Sequence, residues 1–71
     1  MKVYEDSRGW RYRVMPGIDT PSSYKARYNK PEKRGWKCVA ALPWRKSEAE
    51  AEKDLAAYAA RHGMKEEFHY A

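Results

Sequence analysis

Residues 10–15, Trp-Arg-Tyr-Arg-Val-Met, alternate without a break: Trp10, Tyr12 and Val14 fall on one side, Arg11 and Arg13 on the other. A period of two is the geometry of an extended strand, whose successive side chains leave on opposite faces. The alternation returns at 23–29, where Tyr24, Ala26 and Tyr28 oppose Lys25 and Arg27. A third segment, 36–42, reads as a strand with Trp36, Cys38, Ala40 and Leu42 inward and Lys37 and Val39 outward. The connections are short and rich in Gly, Pro, Ser and Asp, so the three segments are expected to form an antiparallel meander. Its aromatic side needs a cover, and its cationic side needs a reason to exist.

The cover follows in the chain. Ser47 has the character of a helix N-cap, with Glu50 at the capping-box distance of three residues. Acids fill the first two turns, where the helix dipole favours them, and alanine-rich sequence carries the helical tendency to Ala60. Gly63 suits the residue just past the helix end. A helix over about 47–62 places Ala51, Leu55, Tyr58, Ala59 and His62 on one side, a stripe of mostly small residues that can lie close to aromatic rings. The expected fold is therefore α+β in one domain, 1–71: a three-stranded antiparallel sheet backed by one C-terminal helix, then a tail over 64–71. Short alternations at 1–5 and 66–70 leave open a further strand at either end.

Ten aromatic residues among 71 argue against disorder and give a small core large rings to bury. The single cysteine, Cys38, forms no internal disulfide framework, no apolar run approaches the ~20 residues of a membrane span, and residues 1–5 do not resemble a signal peptide. A cytoplasmic protein without a membrane partner is expected.

The net charge of +5 is unevenly spread. Residues 1–46 hold twelve Lys/Arg against four acids, a net +8, whereas residues 47–71 hold three against six, a net −3. On the three-stranded sheet, Arg11, Arg13, Lys25, Arg27 and Lys37 share the face away from the helix, with no acid among them. Like charges on neighbouring strands repel, and a face shaped only for solubility mixes signs. Lysine and arginine also serve plain solubility, because their long stems cover sheet backbone and discourage edge pairing. The functional reading is a face for a polyanion, duplex DNA first, with Lys33, Arg34, Arg45 and Lys46 adding backbone contacts from the loops. RNA is the alternative within nucleic acids. An acidic protein surface is the alternative outside them, with the chain acting as a phage-encoded inhibitor of a host nucleic-acid enzyme or defence system.

The order of a W-x-Y-R-V strand, a Y-K-A-R-Y strand, a third strand and then W-R-K-S-E-A-E-A-E resembles the N-terminal arm-type, AP2-like DNA-binding domain of phage and transposon tyrosine integrases. The resemblance covers about residues 9–62, and Trp44, Arg45, Ser47 and Glu48-Ala49-Glu50 carry the helix entry. It implies a sheet lying in the major groove and a helix behind it. Val39 and Ala41 depart from the family's DNA-facing pattern. The chain also stops where an integrase's catalytic domain would begin, so the expectation is a free-standing module of a phage or mobile element.

Catalysis is not expected. Cys38 falls in the expected inward row, where cysteine acts as a small hydrophobe. His62 is explained by the helix end, and His69 lies in the tail. No spacing fits a zinc site, and Glu48, Glu50 and Glu52 stand two apart, which does not converge carboxylates on one helix face. No cofactor, metal or small-molecule substrate is implied. Trp10 and Trp36 fall in phase with the core, while Trp44 at the sheet–helix corner is open to either a packing or a base-stacking role.

Overall fold

The computed structural model describes residues 2–17 and 22–68. Five strands, β1 (Lys2–Glu5), β2 (Arg11–Pro16), β3 (Tyr24–Asn29), β4 (Lys37–Cys38) and β5 (Lys65–Phe68), form one antiparallel sheet in the order β4-β3-β2-β1-β5. One helix, α1 (Glu48–Arg61), lies between β4 and β5 in the chain and packs across β2 and β3. The α+β class and the single backing helix are as expected. Both terminal segments add strands, β1 beside β2 and β5 beside β1 at the sheet edge. Of the expected loop at 16–23, residues 18–21 lie outside the described residues, as do His69 and Tyr70 of the tail.

The helix is closed at both ends by its own sequence. Ser47 Oγ accepts from the Glu50 amide at 3.2 Å and donates to the Glu50 carboxylate at 3.0 Å. At the other end Gly63 adopts φ +64°, the Met64 amide reaches back to Ala59 O (2.9 Å), and the Gly63 amide reaches Ala60 O (3.4 Å). That pair of bonds is a Schellman closure, and it turns Met64 onto the core. Ala51, Leu55 and Ala59 are buried against the inner sheet face; Tyr58 is half-buried, and His62 is exposed with its ring 4.3 Å from that of Tyr58. Tyr4, Tyr12, Val14 and Ala26 supply the sheet's share of the core.

The third strand is the main correction. It is two residues long, and its phase is opposite to expectation. The register pairs Arg27 with Cys38 and Tyr28 with Lys37, so Cys38 is exposed on the outer face and Lys37 sits on the inner side. Val39, not Cys38 or Ala40, is buried, held by its amide bond to Ala26 O at 3.0 Å. The chain then turns through Ala40 and Ala41, both exposed, which brings Leu42 back to the core. Shifting a strand by one residue exchanges all its faces, and 36–42 is apolar enough to accept either phase.

The β1–β2 hairpin is organised by one carboxylate. Asp6 Oδ1 accepts from the amides of Arg8 (2.9 Å) and Trp10 (3.0 Å), and Oδ2 from Arg8 Nη2 (2.8 Å) and the Tyr12 hydroxyl (2.9 Å). The side chain is only 8% exposed. Burial on its own raises a carboxyl, but the Arg8 and Tyr12 side chains and the two amides outweigh it and hold Asp6 below the ordinary aspartate value. Burial and the same carboxylate push the Tyr12 hydroxyl up to about 12. Gly9, at φ +83°, closes the turn, and a Cβ there would meet Pro31 Cγ at 3.3 Å.

A depressed carboxyl pKa contributes stability that is present above the unfolded-state value and disappears as pH falls through the folded one. Asp6→Asn is expected to cost roughly 1.5–3 kcal/mol at pH 7, the range for hydrogen bonds to a charged group. The gap between wild type and variant should close in denaturation curves taken below about pH 4, where the unfolded aspartate protonates. A gap that persists unchanged at pH 2 excludes this account.

Candidate nucleic-acid interface

The outer sheet face, which the helix leaves uncovered, carries the expected cations of β2 and β3. Arg13 stands directly across from Arg27, Met15 across from Lys25, and Arg11 across from Asn29. Arg11 is exposed; Arg13, Lys25 and Arg27 are half-buried. A directly opposed pair of like charges is unfavourable in a sheet. The Arg27 Nε is buried without a hydrogen-bond partner among the described residues.

Two tryptophans join this face. Arg13 Cζ lies 4.6 Å from the centroid of the Trp36 ring, and Lys25 Nζ lies 5.5 Å from that of Trp44. Trp36 therefore belongs to the cationic face and not to the core, because the phase that turns Lys37 inward turns its neighbour outward. Trp44 follows the same logic: the bridge between Tyr24 and Arg45 puts Arg45 on the inner side and Trp44, 45% exposed, on the outer. A cation over an indole face gains electrostatic attraction and gives an otherwise exposed ring a partner. Trp10 lies at the core margin, stacked on Tyr28 at 5.4 Å with Arg8 at 3.6 Å from its centroid.

The face is not free of acid. β1 and β5, absent from the expected three-stranded sheet, bring Glu5 and Glu67 to it. Arg11 Nε lies 3.4 Å from Glu5 Oε1 and 3.7 Å from Glu67 Oε2, so this end of the cationic row is partly neutralised.

The remaining expected contacts separate. Arg45 faces the helix, where Nε and Nη2 hold the two Asp54 oxygens at 2.7 and 3.3 Å. It thereby joins the segment before the helix to the helix itself. Lys46 is exposed beside the helix entry. Lys37 is on the inner side with Tyr28, and there it joins Lys33, Arg34 and also Lys30, whose ammonium lies 4.8 Å from the Trp10 centroid. The signal for this second grouping is present in the sequence as four cations within eight residues, 30–37; what is missing there is the register that turns Lys37 towards them.

The loop bearing these cations has a defined shape. Lys30–Lys33 is a turn closed by the Lys33 amide to Lys30 O at 3.2 Å, with Pro31 second and Glu32 third at φ +64°. That is a type II pattern, whose third position favours Gly or Asn. Asn29 Nδ2 then donates to both Lys33 O (3.0 Å) and Gly35 O (2.7 Å), and Gly35 itself is at φ +86°.

Among the described residues no group of three or more His, Cys, Asp or Glu is placed to hold a metal ion, and no helix is long and apolar enough to cross a membrane. No protein-family model, curated protein or solved structure matches the chain.

Glu32 is the only non-glycine at positive φ among the described residues, and asparagine tolerates that region better. Glu32→Asn is expected to stabilise the fold by roughly 0.5 kcal/mol, raising the melting temperature by about 2–4 °C for a domain of this size. Calorimetry decides it, and an unchanged or lower midpoint excludes strain at this turn.

Proposed function

We propose that the chain is a non-enzymatic DNA-binding module, of the kind carried by phages and mobile elements, that docks duplex DNA on the β2–β3 part of its outer sheet face. The observation that supports this most is the opposed Arg13–Arg27 pair with Lys25 beside it, on a face that, among the described residues, no other element covers. Adjacent strands lie about 4.8 Å apart, so the two-stranded β2–β3 ribbon fits a major groove ~12 Å wide, where arginine recognises guanine and lysine holds phosphate. The resemblance to integrase arm domains points the same way, and such a role puts the chain in the cytoplasm with its DNA. Arg11, tied to Glu5 and Glu67, contributes less than Lys25 and Arg27.

A second reading has its own support. Trp44 is exposed beside Lys25, and an indole next to a cation is a platform for an unpaired base. Under that reading the same face takes single-stranded DNA or RNA.

Anisotropy titrations with duplex and single-stranded oligonucleotides of one sequence separate the two. For duplex docking, about four phosphates held by the outer face alone set a minimum slope of −3 to −4 in the plot of log affinity against log salt, and any further phosphate contact steepens it. Lys25→Glu with Arg27→Glu should abolish binding at ~100 mM salt while the melting temperature moves by only a few degrees. Trp44→Ala should leave duplex binding intact; a selective loss of single-strand binding, on the order of tenfold or more, transfers the function to the second reading. Duplex affinity that ignores salt, or survives the charge reversal, removes the first.

A further inference from the structure

The cations that the register separates from the outer face form a surface of their own. Lys30, Lys33, Arg34, Gly35 and Lys37 line a hollow of about 270 Å³ on the inner side of the sheet, with the Tyr28 ring as its wall. No acid lines it; Glu32, in the adjoining turn, is exposed and not among the lining residues. Four like charges on one short hairpin repel one another, so side-chain attraction does not shape this hollow. The backbone does. Asn29 fixes the carbonyls of Lys33 and Gly35, two residues hold positive φ, and Pro31 packs against the Gly9 turn. A preformed concavity with convergent cations and an aromatic wall is suited to a phosphate group, which it can bind without first ordering a loop.

Its position relative to the outer face is equally informative. β4 is only two residues long, so little separates the hollow from Arg27 and Trp36 across that edge. The opposite edge has the other sign: β5 and β1 carry Glu66, Glu67 and Glu5, with Lys2 at 4.0 Å from Glu66, and Lys65 as the strand's own cation. The major groove is about 8.5 Å deep, so a sheet pressed into it has phosphate walls rising past its edges. A wall at the β5 edge would meet carboxylates already paired with Arg11 and Lys2, and no surplus of positive charge. A wall at the β4 edge would meet Lys37, Lys33 and Arg34.

We infer that the hollow in the β3–β4 hairpin is a second phosphate site, filled by the backbone of the same duplex whose groove receives β2 and β3. The grip is one-sided, closing around the β4 edge and leaving the β5 edge away from the DNA. This rests on the duplex reading of the outer face and assigns Lys33, Arg34 and Lys37 a role distinct from that of Lys25 and Arg27.

The test is a duplex titration at several salt concentrations with wild type, Lys33→Gln/Arg34→Gln and Lys37→Gln. All three positions are exposed, and circular dichroism checks the fold of each variant. Each lost phosphate contact removes about 0.9 from the salt slope, so the double variant should be shallower by nearly 2 and the single variant by nearly 1. In ¹⁵N-labelled wild type the amides of Lys33, Gly35 and Lys37 should shift on adding duplex, together with those of Lys25 and Arg27; in the double variant the shifts at positions 33 and 35 should vanish while those of Lys37, Lys25 and Arg27 remain. Wild-type binding with slopes unchanged in both variants overturns the second site and leaves the outer face standing. No duplex binding by wild type overturns both.

Discussion

The fold depends first on a carboxylate enclosed by its own turn, with a side chain 8% exposed. Asp6 gathers two amides, a guanidinium and a phenol within one tight turn, and each bond fixes something beyond the turn. The bond to Tyr12 holds an inward-facing residue of β2, in the phase that puts Arg11 and Arg13 on the opposite face. The bond to the Trp10 amide holds that ring against Tyr28, and the ring in turn meets Lys30 of the next hairpin. A charged acceptor shielded from water is costly without partners, so the arrangement forms as a set or not at all.

Much of the sheet is legible in the chain, for reasons that also mark the limits of reading it. β2 and β3 alternate strictly because each has one wet and one dry face. The helix announces itself through Ser47, Glu50 and Gly63, whose roles are local and need no knowledge of neighbours. β1 hides because Val3 and Tyr4 are both buried, so no polar–apolar rhythm remains there. In 36–42 the rhythm is present but ambiguous, and the turn through Ala40 and Ala41 lacks the glycine or proline that would punctuate it. The observed phase goes with long-range contacts, the Val39 amide on Ala26 O and Arg13 over the Trp36 ring, the latter between residues 23 positions apart.

The same ambiguity governs the candidate site. Composition and alternation are enough to find Arg11, Arg13, Lys25 and Arg27, since strand pairing brings them together whatever the third strand does. Lys37 depends on that strand's phase and changes sides with it. Arg45 looks like a free cation in the sequence because Asp54, its partner, lies nine residues on and across a change from strand to helix. Glu5 and Glu67 could be placed beside Arg11 only once β1 and β5 were known to be strands.

A sheet basic along one rim and acidic along the other is an electric dipole lying in the plane of the sheet. Five strands span roughly 19 Å, about twice the screening length of physiological salt. Several screening lengths from a polyanion the molecule feels little force or torque and tumbles freely. Within about one screening length the two rims feel opposite forces, and the resulting torque swings β4 forward and β5 back. Orientation of this kind is set before any atoms touch, so the charge pattern can raise the fraction of encounters that arrive facing the right way.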